Sequence, residues 1–229
     1  MKRLVLIIAL SASTLALSAC TSGGGKRPSG PPLKPVADPS AVIAAEVAFN
    51  RLAQDKGQWT AFRETAAPGA VMFVPQRVLA ADWLKDRADP PTTVRWRPRA
   101  VWSSCDGTLA VTHGDWQRPG ATGSFATVWQ RQSDGRYKWT LDMSLASERP
   151  VADADTIAAT VADCDGPRLA VSPDIAIVPD TDTRTVISPD GSLRWTSVTT
   201  MAGARRFALV LRKNGQPVKV LDLASPPQP

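Results

Sequence analysis

Asp142 is the carboxylate of this sequence that is best placed for acid–base chemistry. It lies in a predicted strand, and counting back across the preceding hairpin turn pairs it with Thr127. An aspartate enclosed among apolar side chains has a raised pKa and can act as a general base. The alternative is a structural ion pair, because the same count puts Lys138 and Arg131 on the Asp142 face of the sheet.

His113 is the only histidine and the second candidate for acid–base chemistry. Counting from the Asp106-Gly107 turn pairs it with Ala100 and places it on the same face as Val111. The alternative is a hydrogen-bonded core histidine, since its neighbours on that face are apolar. Asp142 and His113 are therefore the candidate catalytic residues.

Aromatic and hydroxyl side chains beside Asp142 indicate a ligand pocket. The count that pairs Asp142 with Thr127 also pairs Trp129 with Thr140, and a semi-polar face with a central tryptophan is typical of a pocket wall. Eight tryptophans against one tyrosine is an unusual ratio, and they could line a pocket for a flat or apolar ligand or simply fill the core. The candidate pocket residues are Phe73, Trp83, Trp96, Trp116, Thr127, Trp129 and Thr140.

The sequence lacks the residue patterns of metal sites, of nucleophilic hydrolases and of phosphate-binding loops. One histidine and two cysteines that we expect to be bridged do not make a metal site. No Gly-x-Ser-x-Gly nucleophile motif occurs, and the only glycine run, Gly23-Gly24-Gly25, has no strand before it and no helix after it. The sequence therefore predicts no metal site and no cofactor.

Cys105 and Cys164 are predicted to form a disulfide. They follow similar patterns, Ser-Cys-Asp-Gly and Asp-Cys-Asp-Gly, and paired cysteines in an oxidising compartment are more often bridged than free. The alternative is two buried free thiols. A bridge would tie the C-terminal segment to the strands that carry the candidate site.

Four consecutive strands between Val94 and Ser144 position these candidates. Asp106-Gly107 and Asp134-Gly135 are predicted to form two-residue type I′ turns, because both residue types tolerate positive φ. Five of the eight tryptophans lie within this meander. The candidate chemistry is thus concentrated in one antiparallel sheet.

Helices precede the meander. Asp38 is a cap candidate for a first helix with an apolar stripe of Val42, Ile43, Val47 and Leu52, and Gly57 ends that helix. A second helix in QWTAFRETAA, a short strand in AVMFVP and a short helix in VLAADWLKDRA follow. Helices followed by antiparallel strands predict an α+β fold.

The element order and the patterns at 107–116, 123–129 and 134–139 resemble the nuclear transport factor 2-like superfamily. The resemblance is strongest to its SnoaL-like and ketosteroid-isomerase-like bacterial branches and covers residues 40–144. It implies a cone-shaped curved antiparallel sheet wrapped around N-terminal helices and enclosing a pocket. It also implies that the outer face of the sheet can form a homodimer.

Residues 145–229 lie beyond this resemblance and form a β-rich C-terminal extension. SLRWTSVTT, ARRFALVLRK and QPVKVLDL are predicted to form a second meander with a hairpin turn at Asn214-Gly215. The extension has few large apolar residues, so we expect it to pack on the cone as a small β appendage.

The first residues predict a lipoprotein. A basic start, an apolar run and Leu17-Ser18-Ala19-Cys20 resemble a bacterial signal peptide over residues 1–19, with Cys20 as the lipidated residue. Thr21 after the cysteine resembles the class destined for the outer membrane, facing the periplasm. Residues 20–39 are rich in Gly, Pro and Ser and are typical of a disordered tether. The alternative is an ordinary signal peptide cut near Ala19.

The net charge of +6 does not indicate a nucleic-acid partner, because the basic residues are spread along the chain. The first hypothesis is a lipid-anchored envelope protein whose cone pocket binds a small apolar or aromatic molecule without catalysis. The second is a ketosteroid-isomerase-like or dehydratase-like enzyme that uses Asp142 or His113. The third is a structural or accessory module that acts through its C-terminal β segment and an outer sheet face.

Overall fold

The computed structural model describes residues 36–147, 156–171 and 181–225. The predicted signal peptide, Cys20 and nearly all of the tether lie outside these residues. The described helices are α1 (Pro39–Lys56), α2 (Gln58–Thr65) and α3 (Ala80–Leu84). The described strands are β1 (Ala66–Phe73), β2 (Arg77–Leu79), β3 (Arg95–Ser103), β4 (Leu109–Arg118), β5 (Ala121–Arg131), β6 (Tyr137–Ser147), β7 (Ala158–Val161), β8 (Thr181–Ile187), β9 (Leu193–Thr200), β10 (Arg205–Lys213) and β11 (Gln216–Ser225).

Helix α1 begins and ends where the sequence predicts. The Asp38 side chain accepts a hydrogen bond from the Ala41 amide, and Gly57 stops the helix with a φ of 110°. The buried positions, however, are Val42, Glu46, Phe49 and Ala53, spaced by three or four residues. The predicted stripe was wrong at Val47, which is 41% exposed.

Seven strands form one curved, unclosed sheet in the order β2-β1-β6-β5-β4-β3-β7. Its neighbouring strands β3 to β6 pair antiparallel, while β1 runs parallel to β6 and β7 runs parallel to β3. Helices α1, α2 and α3 pack on its inner face. The predicted α+β architecture is confirmed, and β7 extends the sheet with residues from beyond position 145.

The two Asp-Gly turns differ from the prediction. Gly107 and Gly135 have positive φ, but the aspartates before them do not, so neither turn is type I′. The loop at Gly135 is one residue longer than expected, which pairs Trp129 with Trp139. A bulge between Val128 and Trp129 then restores the register, and the predicted pairing of Thr127 with Asp142 is confirmed.

Strands β11-β10-β9-β8 form a second sheet, which includes the three predicted strands of the C-terminal meander. Asn214 and Gly215 both have positive φ, as the predicted hairpin turn requires. Apolar residues of this sheet share a core with the outer face of the seven-stranded sheet. The outer face, to which the resemblance assigns dimerisation, is therefore covered by the chain's own second sheet.

A disulfide and a polar cluster lie at one end of the two sheets, where the disulfide joins the β3–β4 loop to the segment after β7 and the polar cluster joins that loop to the second sheet. Cys105 and Cys164 are bonded, as the sequence predicts, with their Cα atoms 5.1 Å apart. The Asp106 amide donates to an Asp190 oxygen at 3.0 Å, and the Cys105 amide donates to the Ser192 hydroxyl at 2.9 Å. Both contacts join the β3–β4 loop to the β8–β9 loop, so this end of the molecule is rigidly tied.

No helix in the part of the chain that the structure describes is long and apolar enough to cross a membrane.

Candidate functional site

A cavity of about 240 Å³ lies between the helices and the inner face of the seven-stranded sheet. Its volume is just below the range of roughly 300–1,000 Å³ that is usual for sites holding drug-sized ligands. The lining residues are Phe49, Gln58, Trp59, Phe62, Val94, Trp96, Trp116, Arg118, Phe125, Asp142 and Ser144. Six aromatic rings and four polar side chains thus surround a space that suits a small molecule.

The aromatic wall is built by edge-to-face contacts between helices and strands. The Phe49 ring lies 4.8 Å from both the Phe62 ring and the Trp96 ring. Trp116 lies against Gly123, where an added Cβ would come within 2.4 Å of the indole. Because glycine leaves this space, the indole can lie flat on β5 and donate its N–H to the Ser124 carbonyl at 3.1 Å.

Glu46 is a fully buried carboxyl group behind this wall. One oxygen accepts from the Trp96 indole at 2.6 Å, and the other accepts from the Trp129 indole at 3.1 Å and from the Thr112 hydroxyl. Burial raises the pKa of Glu46, and these three hydrogen bonds partly offset that rise. The carboxyl group is thus satisfied by neutral donors, with no cation beside it among the described residues.

Asp142 lies on the cavity wall and is partly buried. The Thr127 hydroxyl donates to its carboxyl at 2.8 Å. Desolvation is the largest cause that raises the pKa of Asp142 to about 7, and the negative charge of Glu46 adds to the rise. This carboxyl group therefore changes its charge close to neutral pH.

The inner face brings four of the predicted pocket residues together. Trp96 and Trp116 line the cavity directly. Thr127 holds Asp142, and the buried Trp129 holds Glu46. Asp142 itself faces the same space, so these four residues and the predicted carboxylate lie together.

Three other predicted pocket residues lie elsewhere. Phe73 belongs to the core between the two sheets, because alternation along β1 turns Met72 inward and Phe73 outward. Thr140 is the extra residue at the β6 bulge and lies near Trp195 of the second sheet. Trp83 packs 5.1 Å from the Trp59 ring but does not line the cavity.

His113 lies on the outer face, away from Asp142. It pairs with Ala100 as predicted, and its Nδ1 donates to the Phe125 carbonyl at 2.7 Å. Its ring stacks with Trp102 at 6.4 Å, and burial lowers the pKa of His113. The structure therefore gives His113 the core role that was the alternative to catalysis.

Asp142 forms no ion pair with any described residue, so the predicted alternative of an ion pair with Lys138 or Arg131 is not seen. The bulge at Thr140 reverses the faces of the preceding residues, so Trp139 points inward and Lys138 lies near Pro68 outside the cavity. Asp142 keeps a hydroxyl partner and no cationic one.

Glu46 is a buried carboxyl residue behind the cavity wall that the sequence interpretation missed. It lies four residues after Val42 and three before Phe49, so helical periodicity puts it on the buried stripe. A glutamate at such a position is unusual, because buried carboxyl groups are costly unless they are hydrogen-bonded. This conflict between pattern and residue type is the signal that identifies it.

A larger depression of about 490 Å³ lies on the second sheet, but its arginines are already engaged. Arg212 is buried and donates to four backbone carbonyl groups, and Arg206 forms an ion pair with Asp222 at 2.7 Å. These contacts make the depression a structural feature.

Among the described residues no group of three or more histidine, cysteine, aspartate or glutamate side chains could hold a metal ion.

Comparisons with known proteins give similarity only at the level of solved structures. No protein-family model matches the sequence. No curated protein matches it either. A protein from Parabacteroides distasonis, described as a "putative ketosteroid isomerase", has 14% identity and a TM-score of 0.39, with 51% of this chain and 98% of that chain covered. An NTF-2 like protein of unknown function from Silicibacter pomeroyi has 18% identity and a TM-score of 0.35, with 47% of this chain and 98% of that chain covered.

A further structure, from Kribbella flavida, has 14% identity and a TM-score of 0.35, with 52% of this chain and 86% of that chain covered. It is also described as a "putative ketosteroid isomerase". One of these three neighbours is described as NTF-2 like and two as ketosteroid isomerases, and each similarity spans about half of this chain.

Proposed function

We propose that this protein is a lipid-anchored protein of the bacterial cell envelope that binds a small, flat and largely apolar molecule in its cone cavity. The observation that carries the proposal is the cavity of about 240 Å³ with six aromatic side chains on its wall. A space of this kind buries most of the surface of a small ring compound, and burial of apolar surface is the main source of affinity.

The polar groups of the cavity favour binding over chemistry. Glu46 has its oxygens occupied by three donors, and Asp142 has one hydroxyl partner. His113 lies on the other face of the sheet, so it cannot act with Asp142 as an acid–base pair. Binding needs only the cavity, whereas catalysis needs a second group aimed at the substrate.

Isothermal titration with indole, a flat and neutral probe, tests the proposal. We expect saturable one-to-one binding to the chain without its leader, and we expect Ser144→Leu to abolish it by filling the cavity. The matched control is Gln117→Leu, because Gln117 is exposed beside Arg118 but does not line the cavity. Equal binding by Ser144→Leu and the wild type would overturn the proposal.

A second candidate is a proton-transferring enzyme with Asp142 as the base. The favouring observation is that the Asp142 carboxyl faces the cavity with a pKa of about 7, near the optimum for general acid–base catalysis at neutral pH. Solvent deuterium incorporation into a cyclic ketone such as 2-cyclohexenone would test this role. Faster exchange with the wild type than with the Asp142→Asn variant would support the enzyme. Equal exchange rates for the two proteins would rule out this role for that ketone class.

The envelope assignment depends on Cys20 and the leader before it. We expect the full chain to partition into the detergent phase and the Cys20→Ser variant to partition into the aqueous phase, because acyl chains provide the anchor. Membrane retention of the variant would contradict lipidation and leave the cavity proposal unaffected.

A further inference from the structure

We infer that the ligand of the cone cavity carries a positively charged nitrogen, as an organic ammonium ion does. The inference rests on the proposed function and names the chemical class of its ligand. Two features of the cavity carry it: a wall of aromatic rings around a small space, and an aspartate on that wall without a cationic partner.

The aromatic rings provide the first argument. Trp59, Trp96 and Trp116 line the cavity together with three phenylalanines. Tryptophan faces are the strongest aromatic partners of cations, and cages of several rings are the usual receptor for quaternary ammonium groups. A wall of this composition attracts a cation more strongly than a wall of aliphatic side chains with the same area.

The carboxyl groups provide the second argument. Asp142 faces the cavity, and Glu46 lies behind its wall close enough to raise the pKa of Asp142. The hydrogen-bond partners of both are neutral, and neither is in an ion pair with a described residue. A bound ammonium ion would supply the missing positive charge.

The charged groups facing Asp142 are few. Helix α1 contributes Glu46, and strand β4 contributes Arg118, which is exposed where it borders the cavity. Strand β5 contributes the Thr127 hydroxyl, and the β1 residue in register is Met72. Arg118 opposes a cationic ligand, but its charge is solvated, whereas the two carboxyl groups act through the protein interior.

Choline and 3,3-dimethylbutan-1-ol are the probes that test the effect of a positive charge on affinity. They have the same shape and differ by a nitrogen cation in place of a carbon atom. At pH 8, where Asp142 is ionised, we expect choline to bind at least about tenfold more tightly, because cation–π contacts and a partly desolvated carboxylate together exceed one power of ten in affinity.

Variants and pH test the source of this preference. We expect the preference to shrink at pH 6 and to fall below threefold in Asp142→Asn, whose amide keeps an acceptor for the Thr127 hydroxyl. Arg118→Gln should tighten choline binding severalfold, because it removes a like charge. Asp115→Asn is the matched control, since Asp115 pairs with Arg99 at 2.8 Å and does not line the cavity.

The outcomes separate the two proposals. If indole binds but the neutral alcohol binds as tightly as choline at pH 8, the cation inference is overturned and the cavity function stands. A preference that persists in Asp142→Asn also overturns the inference. If indole, choline and the alcohol all fail to bind, the proposed function itself is wrong.

Discussion

The two faces of the seven-stranded sheet differ in composition and in what they enclose. The inner face contributes tryptophans, Phe125 and Asp142, the helices that pack on it contribute phenylalanines and Glu46, and a cavity remains between them. The outer face meets the second sheet mainly with aliphatic residues such as Leu141 and Met143. Both faces are sheet surfaces of the same strands, so the alternation of side chains alone separates them.

The proposal of a ligand site rests on this difference between the two faces. The outer face is filled by the chain's own second sheet, which contributes burial and leaves the ring-lined space to the other side. The layer between the inner face and the helices retains costly features, namely a buried glutamate, an aspartate that forms no ion pair with a described residue, and empty volume. Costly features that packing does not require are typical of functional sites.

The largest expected effect concerns Glu46 on the inner face. Replacing Glu46 with Leu removes the acceptor of the Trp96 indole. It also removes one of two acceptors from the Trp129 indole, which keeps the Thr112 hydroxyl oxygen at 3.0 Å, and from the Thr112 hydroxyl, which keeps the Thr127 carbonyl at 3.4 Å. A buried donor without a partner costs about 1–3 kcal/mol and the two weakened hydrogen bonds add to this loss, so we expect the free energy of unfolding to fall by roughly 3 kcal/mol or more. Urea denaturation measures this.

Glu64→Leu is the control for that substitution. Glu64 forms an exposed ion pair with Lys56 at 3.6 Å, which contributes little to stability. A loss at Glu46 no larger than the loss at Glu64 would contradict a structural network behind the cavity.

The next effect concerns the connection between the two sheets. The Cys105–Cys164 disulfide closes a loop with a sequence separation of 59 residues. We expect the double Ser variant to lose about 2–4 kcal/mol, because the unfolded chain regains conformational freedom. If the outer face only provides stability, indole affinity should change less than twofold; a larger change would show that the two faces are coupled.

The Asp142→Asn variant should have a pH-dependent effect on stability. The folded protein keeps the Asp142 proton up to about pH 7, whereas the unfolded chain loses it near the ordinary pKa of 3.8. Wild-type stability therefore falls as the pH rises through this window and is flat above it. The full shift would be worth about 4 kcal/mol, and because Asp142 is only partly buried and solvent screens its charge, we expect about half of that. The variant should therefore be roughly 2 kcal/mol more stable than the wild type at pH 8 and equally stable at pH 3.5, as thermal melts would show. A destabilised variant at pH 8 would mean that the carboxylate is a structural acceptor.

The smallest effect concerns His113. His113→Gln removes the hydrogen bond to the Phe125 carbonyl, so we expect a loss of about 1 kcal/mol. Because His113 is on the outer face, indole and choline should bind the variant as they bind the wild type. A loss of binding without a loss of stability would assign His113 to the site.

Local sequence signals predicted much of the fold. Asp38, Gly57 and Asn214-Gly215 marked element ends that the structure confirms, because capping and positive φ depend on neighbouring residues only. The register was harder, because a longer loop and a bulge depend on packing across the sheet. These two deviations cancel at Thr127 and Asp142, which pair as predicted, but not at Thr140, which therefore lies outside the cavity.

The candidate site was predicted in part for a similar reason. Trp96 and Trp116 were proposed because tryptophans are unusually frequent, and the structure places both on the cavity, whereas placing Phe73 and Trp83 needed the positions of β1 and α3 in space. Phe49, Trp59 and Phe62 come from helices whose orientation to the sheet no local pattern fixes. Glu46 was visible only as a polar residue in an apolar stripe.

The most direct test of the account uses the indole N–H resonances of the eight tryptophans as a map of both faces. In a ¹⁵N-labelled sample titrated with choline, we predict saturable shifts for Trp59, Trp96 and Trp116, which line the cavity. The resonances of Trp102 and Trp195, which belong to the core between the sheets, should stay in place. Shifts confined to Trp102 and Trp195, or no shift in any of the five, would contradict a ligand site on the inner face.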